Sequence, residues 1–126
     1  MIRFEAPIPT LRIFSVEKAK EFYAGFLGFT VDWEHRFEWA APVFMQVSRA
    51  GVRFFLSEHH GDACPGSAVT VPMTGLDAYL AELTAKNYGY YKPGIEDTPW
   101  NTREMRVIDP FGNRINFSET KPSPPS

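Results

Sequence analysis

One pattern of elements occurs twice along this chain, and that narrows its fold more than any single motif in it. Residues 8–14 read as a strand. Pro7 and Pro9 lack an N–H to give to a ladder, which confines that strand to a start or an edge. Ser15 suits a helix N-cap. After it Val16, Ala19, Phe22, Tyr23, Phe26 and Leu27 recur at helical spacing, and Gly28 ends the stripe. Residues 29–34 read as extended. Residues 43–48 and 52–57 are strand candidates joined by the turn Arg49-Ala50-Gly51. The polar stretch 58–66, with Gly61, Pro65 and Gly66, reads as a loop. The same order then begins again. Residues 68–73 suit a strand. Leu76, Tyr79, Leu80 and Leu83 form a second helical stripe, with Thr74 and Asp77 near its start and residues 86–89 closing it. Tyr90-Tyr91 suits a short strand, and residues 103–108 and 113–118 form a hairpin around Asp109-Pro110-Phe111-Gly112-Asn113. Strand, helix, three strands thus appears twice, offset by roughly 60 residues. The direct echo is modest: Phe26-Leu27-Gly28-Phe29 stands where Tyr88-Gly89-Tyr90 stands in the second half. The expected class is α+β, with one concave sheet from each half.

A chain of 126 residues suits one domain, which we place at residues 1–120. Module one covers about 7–57 and module two about 66–118 by this pattern. Residues 121–126, Lys-Pro-Ser-Pro-Pro-Ser, are expected to be disordered. The length is enough to bury a core without disulfides or metal. The formal charge of −2 carries no basic footprint for nucleic acid. Cys64 is the only cysteine, which removes an internal disulfide framework and a cysteine-only zinc site and fits a reducing compartment. The start shows no charged region followed by an apolar run, and no apolar stretch approaches the roughly 20 residues of a membrane span. The sequence-based expectation is a cytoplasmic protein with neither nucleic-acid nor membrane partners.

Three segments carry a resemblance to a known family. The first is Leu11-Arg12-Ile13 followed by the helix ending Glu21-Phe22-Tyr23 and Leu27-Gly28-Phe29. The second is Phe54-Phe55-Leu56-Ser57. The third runs from Asp109-Pro110-Phe111-Gly112-Asn113 through Arg114-Ile115-Asn116-Phe117. In this order and spacing they resemble the vicinal-oxygen-chelate superfamily of glyoxalases, extradiol dioxygenases, fosfomycin-resistance enzymes and bleomycin-resistance proteins. The run Pro99-Trp100-Asn101-Thr102-Arg103-Glu104 and the aromatic stretch from Asp32-Trp33 to Phe37 are most similar to the bleomycin-binding members. The resemblance implies two βαβββ modules, paired in a homodimer that holds a ligand in clefts at the subunit interface. It also implies sequestration of a cationic glycopeptide antibiotic without chemistry on it.

Metal-using members of that superfamily draw His and Glu ligands from the first and last strands of each module. Aligned by its own motifs, this chain offers Ile8, Phe55, Val69 and Asn116 at those places. A slip of one residue turns a strand position onto the other face. It brings up only Pro7, Pro9, Phe54, Leu56, Ala68, Thr70, Ile115 and Phe117. No metal, no cofactor and no catalytic residue are therefore expected, and the reading is a binding protein rather than an enzyme. Glu58, His59, His60 and Asp62 form the one other group of ligand types, in the loop that ends with Cys64, Pro65 and Gly66. We read this loop as solvated, with His60 and Asp62 at the edge of the cleft. Nucleophile-elbow and phosphate-loop motifs are absent.

With 11 Phe, 5 Tyr and 3 Trp, aromatics exceed what a small core uses. Phe22, Phe26 and Leu27 belong to the core by their stripe. Trp33, Phe37, Trp39 and Trp100 sit among charged and polar neighbours. The resemblance places Trp33, Phe37 and Trp100 against planar rings of a ligand and leaves Trp39 unassigned. Together with His60, Asp62, Arg103 and Asn116 they make up the expected ligand-binding set. Two other readings stand beside this one. One is a metalloenzyme, lyase or dioxygenase, with atypical ligands, which a chelator would inactivate. The other is a dimeric interaction module whose aromatics serve only the interface.

Overall fold

A computed structural model describes residues 1–36, 38, 41–88 and 93–122. Its contacts divide the chain into two compact units, Met1–Pro65 and Gly66–Ser126. Each holds a four-stranded sheet with helix packed on one face, so the architecture is α+β and modular, as the repeated pattern predicts.

In the first unit the strands are β1 (Thr10–Arg12), β2 (Thr30–Arg36), β3 (Val43–Arg49) and β4 (Val52–Ser57), in sheet order β1-β4-β3-β2. β1 runs parallel to β4 and the other pairs are antiparallel. Alternation along the strands sorts their side chains onto two faces. Leu11, Val43, Met45, Val47, Phe54 and Leu56 are buried on one face. They meet the first helix through contacts such as Tyr23 edge-on to Phe54 at 6.2 Å. That helix, α1, opens with an α-helical turn, Val16–Ala19, and continues as a π-helical stretch, Lys20–Phe26. Ser15 caps it through its hydroxyl, which accepts from the Lys18 N–H. The wider π turn departs from the regular helix expected. It lets the adjacent Phe22 and Tyr23 both reach the core, 5.1 Å apart and edge to face. At the far end Arg49 donates to the Leu27 carbonyl at 2.8 Å, a cation on a helix C-terminus.

In the second unit β5 (Ala68–Pro72), β6 (Ile95–Asp97), β7 (Thr102–Ile108) and β8 (Arg114–Thr120) form the order β5-β8-β7-β6. β6 has too little apolar alternation to show in the sequence. The short strand expected at Tyr90-Tyr91 lies outside the described residues, as do Phe37, Trp39 and residues 123–126. Helix α2 (Leu76–Ala85) buries Leu76, Tyr79 and Leu83. They lie on the same face as Val71, Met105, Val107, Ile115 and Phe117, and Tyr79 stands edge-on to Phe117 at 5.1 Å. Thr74 and Asp77 give α2 no side-chain cap. Its first N–H groups instead meet Glu119 of β8, whose carboxylate accepts from Gly75 at 2.7 Å and Leu76 at 3.2 Å.

The hairpin before β8 is held by a buried polar knot. One oxygen of Asp109 accepts from the N–H groups of Phe111 and Asn113, both at 2.8 Å, and the other accepts the Asn113 amide at 2.8 Å. The side-chain oxygen of Asn113 accepts from Ser67 N–H at 3.2 Å, tying the hairpin to the entry of β5. Gly112, at φ +87°, supplies the left-handed residue this loop needs.

Candidate functional site

The sheet faces turned away from the helices hold three of the seven expected ligand-binding residues, Trp33, Asn116 and, in the turn before β7, Trp100. In the first unit the face is set by register. Thr10 pairs with Phe55, Gln46 with both Trp33 and Phe55, and Phe44 with both His35 and Ser57. A bulge between Val31 and Trp33 turns Trp33 onto this face. There Trp33, Phe44 and Phe55 make a triangle of rings, with centroids 5.8, 5.9 and 5.0 Å apart. Trp33 remains 41% exposed, whereas core aromatics such as Phe54 are fully covered. A hydrophobic cluster on the outside of a sheet lowers no free energy by burial unless something covers it.

Asp32 stands beside this patch. The Gln46 amide donates to its carboxylate at 2.9 Å. That bond first, then one from Ser48 and the charge of Arg53, hold the Asp32 carboxyl below its ordinary value of 3.8, so it is an anion at neutral pH.

Next to Phe44 the patch opens into a hollow of about 510 Å³, lined by Glu38, Ala41, Pro42, Val43, Phe44, His59 and Asp62. The loop after β4 forms part of its wall. Glu58 pins the loop to β3, its carboxylate accepting from Val43 N–H at 3.0 Å and its own N–H donating to the Val43 carbonyl at 2.9 Å. Asp62 accepts the hydroxyl of the buried Ser57 at 2.6 Å. Asp62, expected at a cleft edge, thus lines the hollow. His59 lines it too, and His60 stacks on His59 with ring centroids 4.8 Å apart. His60, the histidine expected at the cleft edge, is therefore not among the lining residues, and its neighbour His59 takes that place.

The open face of the second unit carries Glu104, Arg106, Asn116 and Ser118. Arg106 pairs with Asn116, and Glu104 with Ser118. Arg106 Nε donates to Asn116 at 3.1 Å. Trp100, 66% exposed in the turn before β7, donates through its indole N–H to Glu104 at 3.4 Å, and the Thr102 and Ser118 hydroxyls reach the same oxygen. Trp100 and Asn116 therefore belong to one face. Arg103 does not. It lies on the helix-covered side, locked to Asp77 of α2 by two bonds of 2.8 and 2.9 Å. Asp77 keeps its carboxyl below the usual range through that bond, and Arg103 is held charged by the same partner. The alternation of β7 puts Arg106 where Arg103 had been expected. Phe37 lies outside the described residues.

The same register corrects one of the places considered for a metal. Val69 pairs with Ile115 and turns toward the helix; Thr70 pairs with Asn116 and is the open-face residue. The positions in question are then Ile8, Phe55, Thr70 and Asn116: two hydrocarbons, a hydroxyl and an amide. That donor set does not fit a divalent ion bound through imidazole and carboxylate. Among the described residues no three of His, Cys, Asp or Glu converge as a metal site would require.

Two βαβββ modules, each a four-stranded sheet with helix on one face and an open face on the other, define the class of fold. The chain belongs to the glyoxalase superfamily, whose family model matches residues 1–123. A bleomycin-binding protein from Streptomyces verticillus, solved with copper(II)-bleomycin, is 26% identical. The match covers 98% of this chain and all of that one, at a TM-score of 0.72. A second bleomycin-binding protein, also solved with bleomycin, is 16% identical over 94% of this chain and all of its own, at 0.73. An antibiotic-binding protein from a Streptomyces species is 19% identical over 96% and 100% of the two chains, at 0.70. No curated protein sequence matches this chain.

Proposed function

We propose that this protein binds and sequesters a bleomycin-like glycopeptide or another flat aromatic small molecule, without metal and without chemical change. The observation that carries the reading is the Trp33–Phe44–Phe55 triangle, an aromatic platform on a sheet face beside a hollow and beside an anionic Asp32. Planar rings stack on such a platform, and a few charges fix their orientation. Likeness to proteins solved with bleomycin supports the same reading. In this proposal the protein is a cytoplasmic homodimer, and the second wall of each cleft comes from the partner copy. Trp100 and Asn116 give the open face of module two its own candidate contact surface, with Arg106 taking the place first given to Arg103. Asp62 and the His59–His60 pair edge the cleft, and Phe37 adds to the aromatic set.

The test is a titration with metal-free and copper-loaded bleomycin, followed by tryptophan fluorescence. Saturable quenching at micromolar or tighter affinity, unchanged by a chelator in the metal-free titration, is the expected result. Trp33→Ala and Trp100→Ala should each weaken binding by about 2 kcal/mol, the scale of a hot-spot aromatic. No response from the unmodified protein would remove the drug-sequestering role.

A further inference from the structure

The loop that walls the hollow contains an imidazole used as a hydrogen-bond acceptor. His59 Nδ1 accepts the Gly61 N–H at 3.0 Å, and Asp62 N–H donates to the His59 carbonyl at 3.2 Å. A Cβ at Gly61 would lie 3.0 Å from His59 Cε1 and 3.2 Å from Nδ1, so any other residue there would push the ring aside by a few tenths of an ångström. The arrangement fixes the neutral ring with its proton on Nε2, because Nδ1 must keep its lone pair. Asp62 waits on the other side. One of its oxygens is held by Ser57, and the other stands 3.7 Å from His59 Nδ1.

We propose that His59 is a proton-operated latch on this wall, closed when the ring is neutral and released when it is protonated. This inference rests on the ligand-binding role given to the hollow above. A proton on Nδ1 turns the acceptor into a donor. The Gly61 bond then breaks, and Nδ1–H swings toward the free oxygen of Asp62. Two effects follow at the hollow. The turn 59–62 loses one of its two internal ties, keeping only the bond from Asp62 N–H to the His59 carbonyl, and the anion at Asp62 gains a cation beside it. The charged and titratable groups around His59 are Asp62, the stacked His60, and Glu38, which lines the same hollow. Histidine is the side chain whose charge commonly changes between pH 5 and 8, so acidification across that interval is the perturbation that tests the latch. A cationic ligand is held at neutral pH and let go on acidification.

Asparagine supplies the control. Its Oδ1 occupies the place of histidine Nδ1 and can accept from the N–H two residues on, but it does not titrate. The full-length protein, His59→Asn and His60→Asn are compared in two measurements. In the first, NMR follows the Gly61 amide and the imidazole signals from about pH 8 to about pH 5. Gly61 should shift with the midpoint of the His59 ring in the native protein and in His60→Asn, and stay flat in His59→Asn. A Gly61 amide that ignores the His59 titration overturns the latch. In the second, metal-free bleomycin binding is measured at both ends of that range. His59→Asn subtracts the drug's own titration. Native affinity should fall at least roughly fivefold more than that of the variant, on the scale of ordinary coupling between sites. Equal falls also overturn the latch. If no protein binds bleomycin at either pH, the sequestering role fails, and the Gly61 titration alone decides the latch.

Discussion

Exchanging the two partners of the buried knot at Asp109 and Asn113 tests the hydrogen-bond assignment that sets the last hairpin. Asn113 is fully buried and Asp109 is 4% exposed, so neither can turn to water for a replacement partner. In Asp109→Asn the new amide can keep its oxygen on the N–H groups of Phe111 and Asn113. Its NH2 then faces the NH2 of Asn113, where a bond of 2.8 Å had been. Rotating Asn113 does not help, because its oxygen is needed by Ser67 N–H. The cost is one charge-assisted bond and a buried donor without an acceptor, about 2–3 kcal/mol. Asn113→Asp instead sets two buried carboxylates against each other, with a similar or larger loss. The double exchange, Asp109→Asn with Asn113→Asp, restores the pattern in mirror image. The amide introduced at position 109 accepts the two backbone N–H groups through its oxygen and donates its NH2 to the new carboxylate at position 113. The other oxygen of that carboxylate takes Ser67 N–H. The cost of the double exchange should be about 2 kcal/mol where the single changes together predict roughly 5, a coupling of about 3 kcal/mol. Urea unfolding at about pH 7 reads this as recovery of the midpoint at constant m. Additive losses, to within about 0.5 kcal/mol, would refute the assignment.

Other changes have equally definite outcomes. Ala50 sits at φ +50° beside Gly51 at +90°, in a two-residue hairpin turn that favours Asn-Gly, so Ala50→Asn should stabilise the protein by roughly 0.5–1 kcal/mol in thermal unfolding. Glu119→Ala removes the acceptor for the first N–H groups of α2 and should cost about 1–2 kcal/mol; Glu119→Gln, which keeps an acceptor, should cost clearly less. Asp32 has a lowered folded-state pKa, so its contribution is present above its ordinary value of 3.8 and lost as pH falls through the lower folded value. Gln46→Ala should move the Asp32 carboxyl titration, followed by NMR, upward toward that value. An unmoved midpoint would show that Ser48 and Arg53 alone hold the charge.

Much of this fold was legible because apolar spacing is a local signal. The two helical stripes, the hairpin at residues 49–51 and the loop between the modules follow from residues near one another in the chain. What escaped was decided at long range. The cap of α2 comes from Glu119, more than 40 residues away, so no local rule at Thr74 or Asp77 finds it. Arg103 and Arg106 look alike in sequence, and only the register of β7 against β8 sends one to Asp77 and the other to the open face. The aromatic platform was half visible. Trp33 stood out among charges, but Phe44 and Phe55 lie in strands rich in core residues. Their partners across the sheet, not their neighbours in sequence, put them on the outer side.

The cap on α2 also bears on the order in which the chain can become structured. A helix of ten residues is marginal by itself, and one with unmet N–H groups is more so. As the chain leaves the ribosome, residues 76–85 appear well before Glu119 does. Helix α2 must wait for the last strand, whereas α1 is capped at once by Ser15, a neighbour three residues from its partner. The first unit can therefore consolidate during synthesis, and the second is committed only when its final strand arrives. In kinetic terms, because docking of the last strand commits the second unit, Glu119 substitutions should lower the rate of folding more than they raise the rate of unfolding.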